Sequence, residues 1–390
     1  MKILITNVWL NNFAGSELVT LELYNYFSRQ GHKVEIFTNT VSPEIEYFLK
    51  ENDIRYSTPS SFVIGDEYDL VWVHHQNIPR EFFENNPAIG KWIFHHMSPF
   101  EPLEFSINSE IENTLSDVIL ANSGETAKKL ETLGLNSRKV DVFGNPAPSD
   151  FFNFPEEGKS DSYFLFITNH PPAEILGAME ALTARGEKII HLGMGSKWAK
   201  ARRVTPMDLA GAAVTVSIGK TIQYAIAMKK VFYIYDHFGG DGFTSSRENF
   251  EENLFFNFSG RSSRKVKSAD EIVSELLNHA TNDPFGLGYI IEEDFTYFNL
   301  DLRLQAILEE LDSSEKLHFL DKVDDKQINV FKGTLETIRR SIVQEGHSSN
   351  MYLGAVAERD SAVAERDRVL NSTSWMLFKP YRKLKNIFVR

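Results

Sequence analysis

Residues 2–39 read KILITNVWLNNFAGSELVTLELYNYFSRQGHKVEIFTN. Lys2–Trp9 is a short apolar run that ends in a polar, glycine-containing turn, the pattern of a strand buried in a parallel sheet. Leu18, Val19, Leu21, Leu23, Tyr24, Tyr26 and Phe27 then recur as one broad apolar stripe. That stripe predicts a helix over Ser16–Gln30, with Ser16 as its cap and Gly31 as its stop. Lys33–Asn39 reads as a second strand. Strand, helix, strand at this spacing is a βαβ unit, so the sheet should be parallel with a right-handed crossover.

The alternation runs on. Tyr68–His75, Lys91–His96, Asp117–Ala121 and Lys139–Phe143 read as strands, with helices expected over Ile107–Ser116 and Ser123–Leu133. Gly144–Asp161 is rich in proline, glycine and acids and marks the domain boundary. A second series follows. Strands are expected at Tyr163–Thr168, Lys188–Leu192, Ala213–Ile218 and Val231–Asp236. Helices are expected at Pro172–Arg185, Lys220–Lys229, Ser268–Ala280 (a capping box of Ser268 and Glu271) and Leu302–Leu311. Two series imply an α/β protein of two doubly wound, Rossmann-like domains, 1–150 and 151–312, facing a cleft, with a helical tail over 313–390. Ligands of such sheets sit beyond the carboxyl ends of the strands.

The chain has 390 residues, no cysteine, 41 basic and 54 acidic side chains, and a formal net charge of −13. Disulfides, thiolate metal sites and a cysteine nucleophile are excluded, and no nucleic-acid partner is expected from so acidic a chain. No run is long enough to span a bilayer, and the N-terminus lacks the apolar centre of a signal peptide. The expected location is cytoplasmic. The repeat AVAERDS/AVAERDR within 355–370 suggests a short coiled coil and an oligomer contact. The end, STSWMLFKPYRKLKNIFVR (372–390), interleaves cations with aromatic and aliphatic residues and has no acid. It suits either the anionic inner face of a membrane or a docked terminal helix.

Several strand ends carry candidate chemistry. Gly219-Lys220-Thr221 is not a P-loop, because Val214 stands where the first glycine belongs. With Ser217 it instead opens a helix, where amides and the dipole favour a phosphate and Lys220 could add charge; a capped helix with a solvated lysine is the alternative. Gly193-Met194-Gly195-Ser196-Lys197 is a second flexible loop with a cation on the same edge. Asp236-His237 precedes Gly239 and Gly240, which would let backbone approach a ligand closely. A carboxylate beside an imidazole can act as nucleophile, base or electrostatic stabiliser. In the first half, Gly15, Ser16 and Glu17 follow the first strand, and Glu17 could bind sugar hydroxyls or act on an attacking oxygen. His74, His75, His95 and His96 end two strands. Neighbours in a strand point to opposite faces, so metal binding is the weaker reading and polar contacts in the cleft, by His75 and His95, the stronger.

With these residues the chain resembles GT-B-fold glycosyltransferases over about Met1–Leu311. KILITNVWLNNFAGSE is similar to that group's first strand and acceptor-side loop, DVILANSGETAKKLETLG to its strand-Asn-Ser-helix element, VDVFGNPAPSDFF to the strand before its linker, and SIGKTIQYAIAMKKVFYIYD to its donor-binding unit. The resemblance implies transfer of a sugar from a nucleotide-activated donor to a glycan or lipid-linked acceptor in bacterial surface polysaccharide synthesis. The nucleotide sugar is a substrate, and no cofactor is implied. It adds Gln223 to the donor side and Glu125 to the acceptor side. The retaining members carry two glutamates around the donor helix; here Gln223-Tyr224 stands near the second and no acid precedes it at the usual spacing. The run GKTIQYAIA…YDHFGG looks instead like retaining β-Kdo transferases, which would make the donor CMP-Kdo and Asp236 the nucleophile of a double displacement. A UDP- or GDP-hexose transferase, an epimerase or phosphorylase, and an inactive scaffold of an assembly complex are the competing readings.

Overall fold

The computed structural model describes residues 1–101, 104–106, 108–137, 139–155, 162–282, 290, 292–311, 316–324, 326–342 and 344. The coiled-coil stretch 355–370 and the basic end 372–390 lie outside them. Met1–Leu335 forms one compact unit and Glu336–Arg390 a second. The second is helical over its described residues. Both sheets lie in the first unit.

Its first sheet holds β1 (Lys2–Asn7), β2 (Lys33–Thr38), β3 (Tyr56–Ser57), β4 (Glu67–His74), β5 (Ala88–His96), β6 (Val118–Ala121) and β7 (Val140–Val142) in the order β3-β2-β1-β4-β5-β6-β7. Every pair along that order is parallel. The connecting helices are α1 (Gly15–Arg29), α2 (Pro43–Glu51), α3 (Glu81–Asn85), α4 (Ser109–Leu115) and α5 (Gly124–Thr132). Alternate side chains of the central strands supply two different cores. Ile3, Ile5, Leu70 and Trp72 join the core under α1, while Leu4, Val71 and Val73 join the opposite one. A strand buried on both faces has no polar alternation, which is why these runs read as continuously apolar.

After the short α6 (Ser149–Phe152) the chain builds a second sheet from β8 (Tyr163–Thr168), β9 (Ile189–Gly193), β10 (Ala199–Lys200), β11 (Ala212–Ser217), β12 (Phe232–Asp236) and β13 (Gly239–Gly242), in the order β10-β9-β8-β11-β12-β13. Only its β12–β13 pair is antiparallel. Helices α7 (Ala173–Ala184), α8 (Pro206–Ala210), α9 (Lys220–Ala227), α10 (Arg247–Phe255), α11 (Ala269–Asn282), α12 (Glu292–Tyr297) and α13 (Leu300–Glu310) follow in chain order. Here too the strands split: Phe164, Phe166, Tyr233 and Tyr235 face one core and Leu165, Phe232 and Ile234 the other.

Three expectations change. Helix α1 starts one residue early, with extended Ala14 as N-cap and no side-chain cap. Ser16 lies inside the helix, and its hydroxyl donates to Glu17 at 3.0 Å. The glycines after Asp236 are strand, not a free turn. Gly239–Gly242 pairs back on β12, and a Cβ on Gly240 would lie 2.1 Å from Ile234 O. Those glycines allow backbone to pack on backbone, so no ligand is needed to explain them. The division at 312/313 does not follow the packing. Leu300, Leu304 and Ile307 of α13 are in the core of the first sheet. Beyond them β14 (Leu317–His318) pairs with the start of β5, and Phe319, Val323, Ile328 and Phe331 fill the sheet's other face. The chain therefore crosses between lobes twice, and the crossovers are tied together where Ala147 N donates to Phe298 O at 2.7 Å and Leu300 N to Ala147 O at 2.9 Å.

Candidate active site

In each sheet the connections leave in opposite directions from one strand pair, β1/β4 in the first and β8/β11 in the second. The gap beyond the carboxyl ends of such a pair is where doubly wound sheets bind ligands. In the first lobe it is filled by polar side chains. Asn7 Nδ2 donates to Thr20 Oγ1 at 3.0 Å, and Thr20 Oγ1 donates to Ser16 O at 2.9 Å. His74 Nδ1 lies 3.1 Å from Thr6 O. Burial lowers the His74 pKa to about 3, so the ring is neutral. A neutral ring facing a carbonyl through Nδ1 must carry its proton there. Nε2 is then a buried acceptor, and it has no partner.

The same edge holds more unsatisfied groups. His95 is fully buried, its ring 5.2 Å from His74, with neither nitrogen hydrogen-bonded. His75 leaves the strand with a φ of 63°, its amide donating to His95 O at 2.8 Å and Nδ1 3.7 Å from Glu104 Oε2. That left-handed turn brings His75 beside His74 instead of on the opposite face, so the simple alternation rule fails here. Burial holds His75 and His95 well below the usual imidazole range. His96 differs: its Nε2 is 2.9 Å from Glu112 Oε2. Burial opposes its charge most strongly, but Glu112, with Glu104 beside it, raises its pKa overall.

Glu17 is 1% exposed. One oxygen takes the Ser16 hydroxyl and the other makes no hydrogen bond. Burial pushes its pKa up to about 7. Glu104 is pushed up to about 8, again by burial first and then by Glu101 and Glu17. Two carboxyls near neutrality beside neutral imidazoles can exchange protons and hydrogen-bond hydroxyl groups near pH 7. Among the described residues, no three histidine or acidic side chains are arranged to hold a metal ion.

In the second lobe, Asp236 ends β12, is 5% exposed, and takes the Thr168 hydroxyl at 3.0 Å on each oxygen. His237 is exposed at the hairpin tip, its Nδ1 3.6 Å from Asp236 Oδ2. Ser217 Oγ donates to Ile167 O at 2.7 Å across the β8/β11 gap. Gly219 has a φ of 60° and ends the strand into α9, beside Thr221. Gly193 and Gly195 are also left-handed, and a Cβ on Gly193 would lie 1.9 Å from Thr168 O. These glycines shape the edge.

The cations and the amide expected to meet the donor are engaged elsewhere. Lys220 is buried, with Nζ 2.6 Å from Glu22 Oε2 in α1 and 3.1 Å from Pro146 O. Burial lowers its pKa, against the attraction of Glu22. Gln223 accepts from Asn145 N at 3.1 Å and donates to Asn257 at 2.8 Å. Lys197 pairs with Glu180, 3.2 Å away and two turns into α7. Sequence reasoning missed Glu22, which also bonds the Tyr224 hydroxyl and lies 3.6 Å from Arg203. Its signal was a lone acid inside the apolar stripe of α1. Glu104 sits in no motif and gave none.

The two edges face one another. Lys220, just beyond β11, reaches α1 of the first lobe. Gly15 opens that helix with open space around it. Glu125, just beyond β6, pairs with Arg261 of the second lobe at 2.6 Å. Two doubly wound domains with apposed carboxyl edges constitute the GT-B architecture. No protein-family model matches the chain, and no curated protein matches it in sequence. Among solved structures it is similar to Anabaena HepE in complex with UDP and glucose, at 13% identity over 73% of this chain and 100% of that one, TM-score 0.43. It is also similar to a putative UDP-N-acetylglucosamine 2-epimerase from Listeria monocytogenes (12%, 81% and 99%, TM-score 0.47). A third is the lipopolysaccharide outer core galactosyltransferase WaaB (13%, 80% and 100%, TM-score 0.40).

Proposed function

We propose that the protein transfers a sugar from a nucleotide-activated donor to a hydroxyl of a glycan or lipid-linked acceptor. The observation that carries this is the apposition of two switch-point edges, one presenting the buried Glu17 and the other Asp236. The donor lies on the second lobe, its phosphate against the amides that open α9 and in the favourable field of that helix. The acceptor lies on the first lobe among Glu17, His74, His75 and His95. Glu17, with a pKa of about 7, takes the acceptor proton. The acceptor oxygen bonds to the anomeric carbon, and the nucleotide leaves with the electron pair of the broken carbon–oxygen bond. Closure of the lobes excludes the water that would otherwise hydrolyse the donor.

The finer reading takes CMP-Kdo as donor and two displacements. Asp236 bonds first to the anomeric carbon as CMP leaves, and the acceptor oxygen then displaces Asp236. It rests on the resemblance of GKTIQYAIA…YDHFGG, and a UDP- or GDP-hexose donor is its alternative. The engagement of Lys220, Gln223 and Lys197 in other bonds favours a second reading, an inactive scaffold. Incubating the purified protein with a panel of CMP-, UDP- and GDP-sugars separates them. Release of nucleotide from one donor, with an acceptor product, supports transfer. Release of nucleotide without one points to an epimerase. Phosphate-dependent turnover points to a phosphorylase. No turnover and no affinity leaves the scaffold.

A further inference from the structure

Arg261 follows α10 in the second lobe, and its side chain is 10% exposed. Nε and Nη2 both donate to Glu125 Oε2, at 2.9 and 2.6 Å. The guanidinium lies 5.0 Å from the ring of Phe100 in the first lobe and 5.2 Å from that of Phe238, two residues past Asp236. A guanidinium flanked by aromatic rings, with two N–H groups converging on one carboxylate oxygen, is suited to holding an anion. The anion it holds belongs to the opposite lobe. The start of α5 is pressed onto α10 there: a Cβ on Gly124 would lie 2.3 Å from the Phe255 ring.

The two partners differ in how much they need each other. Glu125 sits in the first turn of α5, where the helix dipole stabilises a carboxylate without Arg261. Arg261 is the more enclosed, and a charge so enclosed requires an anion beside it. An incoming phosphate on the second-lobe edge offers that anion.

We infer that Arg261 is the receptor for the donor's phosphate, and that Glu125 is an internal anion occupying it until the donor arrives. This rests on the reading above that the second lobe binds a nucleotide. Exchange of Glu125 for phosphate releases the bridge between α5 and the 261 loop, while Arg261 stays beside Phe238 at the hairpin tip. Glu125 is therefore a competitor of the donor and not a ligand of the acceptor.

The experiment is isothermal titration of CMP, UDP and GDP into wild type, Glu125→Gln, Glu125→Asp, Arg261→Lys and Arg261→Gln, each checked for folding by circular dichroism. Removing a competitor that holds about nine-tenths of the molecules tightens the apparent affinity by about 10-fold. Glu125→Gln is expected to bind the preferred nucleotide about 10-fold more tightly and Glu125→Asp by less. Arg261→Lys keeps the charge but loses the fork, and with Arg261→Gln is expected to bind at least about 10-fold more weakly. Unchanged or weakened binding in Glu125→Gln overturns the inference, since Glu125 then only positions Arg261. Undiminished binding in Arg261→Gln overturns it too. If neither wild type nor Glu125→Gln binds any of the three, the nucleotide-binding reading itself falls.

Discussion

Replacing Glu17 with glutamine should stabilise the protein at alkaline pH and remove its activity. Burial raises the carboxyl pKa from 4.5 in an unfolded chain to about 7. Below pH 4.5 the group is protonated in both states and costs nothing. Above pH 7 it is charged in both states, and the folded protein bears the cost of a buried carboxylate. That difference corresponds to a penalty of about 3 kcal/mol. Glutamine keeps the shape and the acceptor for Ser16 but never ionises. The variant should match wild type near pH 4 and exceed it by about 3 kcal/mol at pH 8. Denaturant unfolding followed by tryptophan fluorescence reads this, because Trp72 and Trp92 are buried in the lobe that holds Glu17. Transfer should fall by about 10²–10⁴-fold, the usual contribution of a general base. A variant no more stable at pH 8 than wild type would refute the claim that this carboxyl is desolvated. A stabilised variant with full activity would show that it is buried but idle.

Four other outcomes are expected. Asp236→Asn should abolish transfer while leaving nucleotide affinity and melting temperature nearly unchanged; retained turnover would reduce Asp236 to a partner of Thr168. Lys220→Met leaves the buried Glu22 with the Tyr224 hydroxyl and the more distant Arg203 and should cost about 3 kcal/mol in denaturant unfolding, most of it recovered when Glu22→Gln is added; a neutral single change would mean that Arg203 replaces Lys220. The raised pKa of His96 gives stability that is complete below the unfolded value of 6.5 and lost as pH rises through the folded one. Glu112→Gln should therefore lower the melting temperature most at pH 5–6 and less at pH 9, and a pH-independent loss would contradict the ion pair. Deleting the chain after Asn371 should reduce co-sedimentation with anionic vesicles and spare activity on a soluble acceptor; unchanged sedimentation would remove the membrane role proposed for the tail.

The two doubly wound sheets were legible because their central strands are apolar on both faces and their helices carry one apolar stripe. Capping chemistry placed one helix start well: Ser268 and Glu271 form the expected box. The return of α13 to the first lobe was not legible, because an amphipathic helix does not record which sheet it covers. Lys220 shows the same limit at the site. A lysine opening a helix reads as a phosphate ligand or a solvated side chain, and its burial against Glu22, remote in sequence, is written in neither motif. The paired histidines marked strand ends correctly, yet their burial and the left-handed turn at His75 depend on neighbours from three strands. Gly239 and Gly240 read as a turn and not as a strand because backbone packing and ligand approach make the same demand on a residue.

Hydrogen exchange with and without nucleotide tests the placement of the donor most directly. With the nucleotide that raises the melting temperature, protection should grow over 217–222 and 236–242, and exchange over 123–126 should quicken as Glu125 lets go of Arg261. Protection confined to the polar cavity of about 430 Å³ lined by Glu22, Arg29, Asp150 and Arg203 would put the nucleotide elsewhere and contradict the account.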